Sequence, residues 1–203
     1  MLMTAPLRVV ELLAARLCHD LISPVSAIAN GAELLGEEDP EFVREAASLV
    51  GKSAREANAR LQFFRFAFGF GGGGLAGPAP HLLADAYFAG STISYDYGEA
   101  ACALPPARQK LGCAMLLVAA EALPRGGRLV AGAACGGPEI DAAGDVILLS
   151  AETRAALTRA IDPAELTTRT VTAYFAGLLA ASQGGQLVVN ARPGGFRLGA
   201  NLP

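Results

Sequence analysis

Residues 17–25 read L-C-H-D-L-I-S-P-V and lie inside a long run of helical periodicity. Apolar or small residues recur there at alternating steps of three and four, at Leu7, Val10, Ala14, Leu17, Leu21, Pro24, Ile28, Gly31 and Leu35. This spacing is typical of a helix that packs along one seam against other helices. Each residue turns a helix by about 100°. His19, midway between Leu17 and Leu21, is therefore predicted to face solvent, away from the seam.

His19 is one of 2 histidines in the chain. An imidazole in water on a rigid helix is largely neutral at cellular pH and can act as a nucleophile. Asp20 follows it, and a carboxylate there can accept the Nδ1 proton and leave Nε2 free to attack. Pro24 removes one helical hydrogen bond, so a local bend is expected beyond the histidine. Cys18 is not expected to pair with His19, because neighbours on a helix point about 100° apart.

A second helical pattern follows a short acidic turn at 36–40. Its apolar positions, again spaced by three and four, are Val43, Ala46, Val50, Ala54, Ala57, Leu61, Phe64 and Phe68. Two helices of about 30 residues joined by a short turn predict an antiparallel hairpin over 1–69. A lone hairpin cannot cover a two-sided apolar seam. We therefore expect a homodimer in which two hairpins form a four-helix bundle.

The antiparallel geometry also brings basic side chains of the second helix to the level of His19. They are Lys52, Arg55, Arg60 and Arg65. Two interpretations remain open: a solvated basic face, or a docking surface for an acidic partner.

Residues 69–80 read G-F-G-G-G-G-L-A-G-P-A-P, which offers few side chains to pack and predicts a linker over 70–80. The remainder, 81–203, forms a predicted second domain. Strands are predicted at 91–97, 128–134, 146–150, 186–191 and 196–202, and helices at 107–123, 152–161 and 165–182. The expected fold class is α+β, a helical hairpin followed by a two-layer α/β sandwich.

Composition excludes several classes of protein. Hydrophobic residues are 52% and charged residues 17% of the chain, which excludes disorder. The net charge of -3 argues against a nucleic-acid binder that works by bulk charge. The 4 cysteines lack CxxC spacing, so no metal site is expected and the thiols are expected to be reduced in a cytoplasmic protein. No stretch is interpreted as a membrane span or a signal peptide.

The segment His19-Asp20-Leu21-Ile22-Ser23-Pro24-Val25 resembles the H-box of dimerising histidine-phosphotransfer domains, the phosphoacceptor helix of sensor histidine kinases. Ile22 stands where that box has a basic residue. The order of elements in 81–203 resembles the ATP-binding domain of the same kinases, the GHKL or Bergerat fold. Glu121 lies in the equivalent of the N-box helix, and 174–185 resembles the helix after the G2 box.

The nucleotide-binding elements of that fold have no counterpart here. The N-box asparagine, the D-x-G-x-G sequence and the glycine-rich lid are missing from the sequence. Transfer of a γ-phosphate needs a Mg²⁺ ligand and a backbone cradle for the phosphates. The second domain is therefore interpreted as a degenerate Bergerat fold, with no bound nucleotide, metal or other cofactor.

Together these features resemble the ChpT family of histidine phosphotransferases over nearly the whole chain, most strongly in 14–35 and 121–127. The resemblance implies a phosphotransferase of the cell-cycle phosphorelay. His19 would take a phosphoryl group from the receiver of a CckA-like hybrid kinase and pass it to CtrA-like and CpdR-like response regulators, whose receivers supply Mg²⁺. Asp20 would orient the imidazole. The implied partner-binding residues are Arg16, Ser23, Arg55 and Arg60.

Two alternatives to this function remain open. One is an ATP-dependent histidine kinase with divergent nucleotide boxes. The other is a non-catalytic dimeric adaptor that binds receivers and carries no phosphate.

Overall fold

The computed structural model describes residues 4–69 and 78–203. Its helices are α1 (Thr4–Leu34), α2 (Pro40–Phe68), α3 (Pro80–Phe88), α4 (Glu99–Cys102), α5 (Pro106–Glu121), α6 (Ala151–Leu157) and α7 (Val171–Ser182), with a 3-10 turn at Pro163–Glu165. Its strands are β1 (Ile93–Tyr97), β2 (Gly127–Ala134), β3 (Gly137–Ala143), β4 (Gln186–Arg192) and β5 (Gly195–Asn201). The fold is α+β, as predicted. Most of the predicted linker, 70–77, lies outside the described residues, and the division into two domains stays a prediction.

The predicted hairpin is present as α1 and α2. Asp39 begins α2 by accepting a hydrogen bond from the backbone N–H of Glu41 at 2.9 Å, with Pro40 in the first turn. The two helices approach closely at Gly31, where an added Cβ would lie 2.7 Å from Cγ2 of Val50. A larger side chain at this position would therefore force Val50 to shift.

The five strands form one sheet in the order β1-β2-β3-β5-β4. The β1–β2 pair is parallel, and the other pairs are antiparallel. One face of the sheet is apolar and buried, with Ile140, Phe196 and Leu198 at most 1% exposed, and α5 packs against it. The other face carries charged side chains such as Asp141 and Arg197. The sheet and the helices on its apolar face thus form the two layers of the α/β region.

A continuous apolar core joins the hairpin to the α/β region. Phe63 of α2 is fully buried and stacks on Tyr87 of α3, with ring centroids 4.6 Å apart. Phe68 meets Phe175 of α7 edge-on at 5.4 Å. Arg8 of α1 adds a hydrogen bond to the carbonyl of Leu166 at 3.1 Å. These contacts hold the turn of α1 that carries His19 beside the C-terminal end of α5.

Several predicted elements differ from the observed ones. Residues 146–150 do not form a strand; the N–H of Leu148 bonds the carbonyl of Ala122 at 2.8 Å instead of a neighbouring strand. The predicted helix 165–182 begins only at Val171, because a turn precedes it in which Oγ1 of Thr170 accepts the N–H of Thr167 at 3.0 Å. Strand β3 was not predicted, since its opening Gly-Pro is typical of a turn. Helices α3 and α4 were also not predicted.

Helix α1 has one property that the sequence interpretation did not single out. By length and composition alone, Leu7–Leu34 is apolar enough to cross a membrane. A single such helix near an N-terminus is weak evidence for a membrane, because core helices and signal sequences pass the same test. In this fold the helix packs along α2 and contacts α7.

Candidate functional site

The side chain of His19 projects from α1 into solvent and is 82% exposed. Its Nδ1 lies 3.1 Å from Oδ1 of Asp20. Asp20 itself is only 15% exposed, so its carboxylate is held while the imidazole stands clear. A carboxylate at Nδ1 favours the tautomer with the proton on that nitrogen. Nε2 then keeps its lone pair for chemistry.

Asp20 is fixed by a guanidinium one helical turn earlier. Nε of Arg16 donates to Oδ2 of Asp20 at 2.8 Å. The same guanidinium reaches out of α1, and its Nη2 lies 3.1 Å from Oε1 of Glu121, the last residue of α5. His19, Asp20, Arg16 and Glu121 therefore form a chain of four polar side chains. The chain begins on the hairpin and ends on the α/β region.

Pro24 explains a second contact at this level. Proline has no N–H, so the carbonyl four residues earlier, that of Asp20, loses its helical hydrogen bond. Nη1 of Arg60, from α2, donates to this carbonyl at 2.5 Å, and its Nη2 pairs with Glu56 at 2.6 Å. The guanidinium thus replaces the bond that proline removes and ties α2 to α1 beside the histidine.

Burial and charge shift the titration of groups around this chain. Partial burial raises the pKa of Glu121 to about 7, with Arg16 opposing the rise and the charge of Asp20 adding to it. Burial works against the charge on Arg16, but Glu121 and Asp20 together raise the pKa of the guanidinium above its usual value. Burial, together with Asp20, raises the pKa of Tyr87 to about 12. The phenol stays neutral beside the chain.

The other predicted site residues differ in their exposure and in their contacts. Ser23 and Arg55 are exposed on α1 and α2. Arg16 and Arg60 make the intramolecular bonds described above, and their contact with a partner stays a prediction. The pairing of Glu121 with Arg16 was not predicted. Its signal in the sequence is a single carboxylate in the otherwise apolar segment 111–123.

A cleft of about 830 Å³ opens beside Arg16 and Glu121, between α5 and the segment 148–170. Its lining includes two arginines, Arg16 and Arg169, and three glutamates, Glu121, Glu152 and Glu165. Among the described residues, no group of three or more histidine, cysteine, aspartate or glutamate side chains is arranged to hold a metal ion. The cleft is therefore a mixed-charge surface next to the histidine.

Comparison with known proteins identifies the family. The family model for the histidine phosphotransferase C-terminal domain matches residues 80–194. This chain belongs to that family. The resemblance to a family of histidine phosphotransferases, inferred from the sequence, is thereby confirmed.

Relatives of this histidine phosphotransferase family member support the same placement. The present chain is 43% identical over 122 residues to the protein phosphotransferase ChpT of Brucella abortus (strain 2308). The match covers 58% of this chain and 57% of that protein. The match thus spans less than two thirds of the relative. The fold of the present chain is similar to the solved structure described as "1.7 Angstrom Structure of a Bacterial Phosphotransferase". That similarity has a TM-score of 0.73 and 30% identity over 96% of both chains.

Arg60→Met should lower the free energy of unfolding by about 1–3 kcal/mol, because it leaves a partly buried carbonyl without a donor. Urea denaturation measures the effect, with Arg55→Met as a matched exposed control that changes little. In a Pro24→Ala background the N–H restored at position 24 satisfies the carbonyl of Asp20, so the penalty should shrink. An equal penalty in both backgrounds would refute the pairing of Pro24 with Arg60.

Glu121 should make the stability of this family member fall as pH rises. The folded pKa of about 7 lies above the ordinary 4.5, so the folded state holds this proton more tightly than the unfolded chain. The resulting stabilisation is fully present below about pH 4.5 and is lost as pH rises through about 7. Glu121→Gln should flatten this range of the profile of urea midpoints against pH. Parallel profiles for the two proteins would contradict the assignment.

Proposed function

We propose that this protein is a histidine phosphotransferase of a two-component phosphorelay, with His19 as the residue that carries the phosphoryl group. The observation that carries the proposal is an 82% exposed imidazole whose Nδ1 lies 3.1 Å from a largely buried carboxylate. This arrangement exposes the ring to a large partner and fixes its tautomer. Membership of the family supports the same chemistry.

The proposed transfer consists of two displacements. The Nε2 lone pair of His19 attacks the phosphorus of an aspartyl phosphate on a receiver domain. An N–P bond forms, the P–O bond to aspartate breaks, and the receiver keeps its carboxylate. Nδ1 retains its proton, and Asp20 stabilises the positive charge that the ring gains. A carboxylate of a second receiver then attacks the phosphorus and releases the neutral imidazole.

Receivers are the proposed partners. Mg²⁺ bound by the receiver would neutralise charge on the moving phosphoryl group, and this chain would supply a nucleophile at a fixed position. Ser23 and Arg55, both exposed on the hairpin, are proposed docking contacts, together with Arg16 and Arg60. The resemblance to the ChpT family points to a CckA-like donor and to CtrA-like and CpdR-like acceptors, in the cytoplasm.

We propose further that ATP is not the phosphoryl donor. The α/β region is interpreted as a degenerate Bergerat fold in which the cleft beside α5 replaces the nucleotide site. The N-box asparagine, the D-x-G-x-G sequence and the glycine-rich lid are missing from the sequence, and the three glutamates of the cleft lie among two arginines, a mixed-charge lining rather than a phosphate cradle. The competing function, an ATP-dependent kinase, predicts that millimolar Mg-ATP raises the melting temperature and labels His19.

The direct test follows phosphate from a receiver to this chain. The receiver of a hybrid histidine kinase from the same genome is labelled with ³²P, separated from its donor and mixed with this protein. The expected product is a label on this chain that is lost in acid and stable in base, as for phosphohistidine. Rapid label transfer to a second receiver completes the relay. A receiver-binding adaptor would form the complex and acquire no label.

The exposed apolar side chains of the hairpin support a homodimer with a four-helix bundle. Val10 is 62% exposed and Leu49 is 42% exposed in the single chain. We expect sedimentation of the wild-type protein as a dimer at micromolar concentration, and of Val10→Glu as a monomer, because the charge would be buried without a partner. Ile22→Glu is the matched control: Ile22 is 65% exposed but lies beside His19. A monomeric wild-type protein would exclude the bundle.

A further inference from the structure

We infer that Glu121 is a positioning residue for His19, acting from the α/β region through Arg16 and Asp20. This inference rests on the proposed function of His19 and adds to it a residue on a different element. The four side chains are joined by contacts of 3.1, 2.8 and 3.1 Å between successive members.

The argument begins with how arginine binds a carboxylate. A guanidinium prefers to place two parallel N–H groups on the two oxygens of one carboxylate. Arg16 does not pair with Asp20 in this way. Only its Nε meets Asp20, at Oδ2, while Nη2 is engaged by Glu121. Oδ1 of Asp20 therefore stays free of Arg16 and serves Nδ1 of His19.

Removal of the Glu121 carboxylate frees Nη2. The guanidinium of Arg16 can then donate two parallel hydrogen bonds to both oxygens of Asp20. Nδ1 of His19 thereby loses Oδ1 of Asp20 as its acceptor. Glu121 thus keeps one oxygen of Asp20 available to His19. Glu121 ends α5, and α5 packs against the sheet. A change in the position of the α/β region relative to the hairpin would therefore alter the orientation of the imidazole through Arg16 and Asp20.

Other titratable groups surround these four side chains. Tyr87 on α3 and Arg60 on α2 lie close enough to interact electrostatically with Asp20. Glu152, Glu165 and Arg169 line the same cleft as Glu121. Of these, Glu152 is the best matched control, since it lines the cleft and its charge is fully exposed.

The first measurement uses the unphosphorylated protein alone. Nitrogen NMR shifts of His19, recorded at about pH 8, report which ring nitrogen holds the proton. The expected result is a proton on Nδ1 in the wild type and in Glu152→Gln, and a mixture of tautomers in Glu121→Ala. Glu121→Asp should partially restore the wild-type pattern. In an Arg16→Ala background, Glu121→Ala should have no further effect on the tautomer.

The second measurement is the rate of phosphoryl transfer from a labelled receiver. Loss of one oriented hydrogen bond predicts that Glu121→Ala slows transfer about three- to tenfold, with Glu152→Gln unchanged. Unchanged tautomer and rate in Glu121→Ala, accompanied by a lower melting temperature, would reduce the contact to a structural ion pair and overturn the inference. If no receiver labels the wild type, the proposed function fails, and the tautomer measurement still decides the role of Glu121.

Discussion

His19→Gln abolishes the labelling of this protein by a phosphorylated receiver. We expect a loss of at least ~10³-fold, because removal of a covalent nucleophile eliminates the intermediate itself. The glutamine side chain is of similar size and offers no nitrogen lone pair of comparable basicity. His19 is 82% exposed, so the variant should fold normally.

The chain provides its own control for that experiment. The second histidine, His81, lies at the start of α3 near Cys102 and Tyr97. His81→Gln should accept phosphate at the wild-type rate. Circular dichroism and sedimentation compare the fold and assembly of both variants. Base-stable label retained by His19→Gln, or lost from His81→Gln alone, would place the phosphoacceptor elsewhere.

The hairpin and the outward position of His19 could be predicted because helical periodicity is a local property of sequence. The steps of three and four in 7–35 determine which side chains share a face. The partner of each face is not local. Arg16 is three residues before His19 and thus about 60° around the helix. That small rotation places His19 in solvent and Arg16 against Glu121, a distinction that no property of α1 alone determines.

Strand β3 illustrates a different limit. Its residues Gly137 and Pro138 indicate a turn, and its Ala142 and Ala143 have low strand propensity. The segment becomes a strand because β2 and β5 supply hydrogen bonds on both sides and α5 covers Ile140. Conversely, 146–150 has suitable side chains for a strand but no neighbouring strand to pair with in the described structure. Tertiary contacts determine both outcomes.

Asp20→Asn should slow phosphoryl transfer more than Asp20→Ala does. Asparagine has one acceptor oxygen, whereas two donors, Nε of Arg16 and Nδ1–H of His19, now use the two oxygens of Asp20. The charged guanidinium is the stronger donor and should take the oxygen. The amide NH₂ then faces Nδ1 and donates to it, which moves the ring proton to Nε2 and blocks the attacking lone pair.

The expected losses are about 10²-fold for Asp20→Asn and about 10-fold for Asp20→Ala, since alanine leaves the ring free to choose either tautomer. Single-turnover transfer from a labelled receiver measures both. The contact of Arg60 involves the backbone carbonyl of Asp20 and survives either change, so both variants should keep the packing of α1 on α2. Equal rates for asparagine and alanine would mean that Asp20 acts only through its charge, which both variants remove, and a faster rate for asparagine would contradict the tautomer argument. The order of the two rates thus separates control of the tautomer from electrostatic stabilisation of the phosphorylated ring.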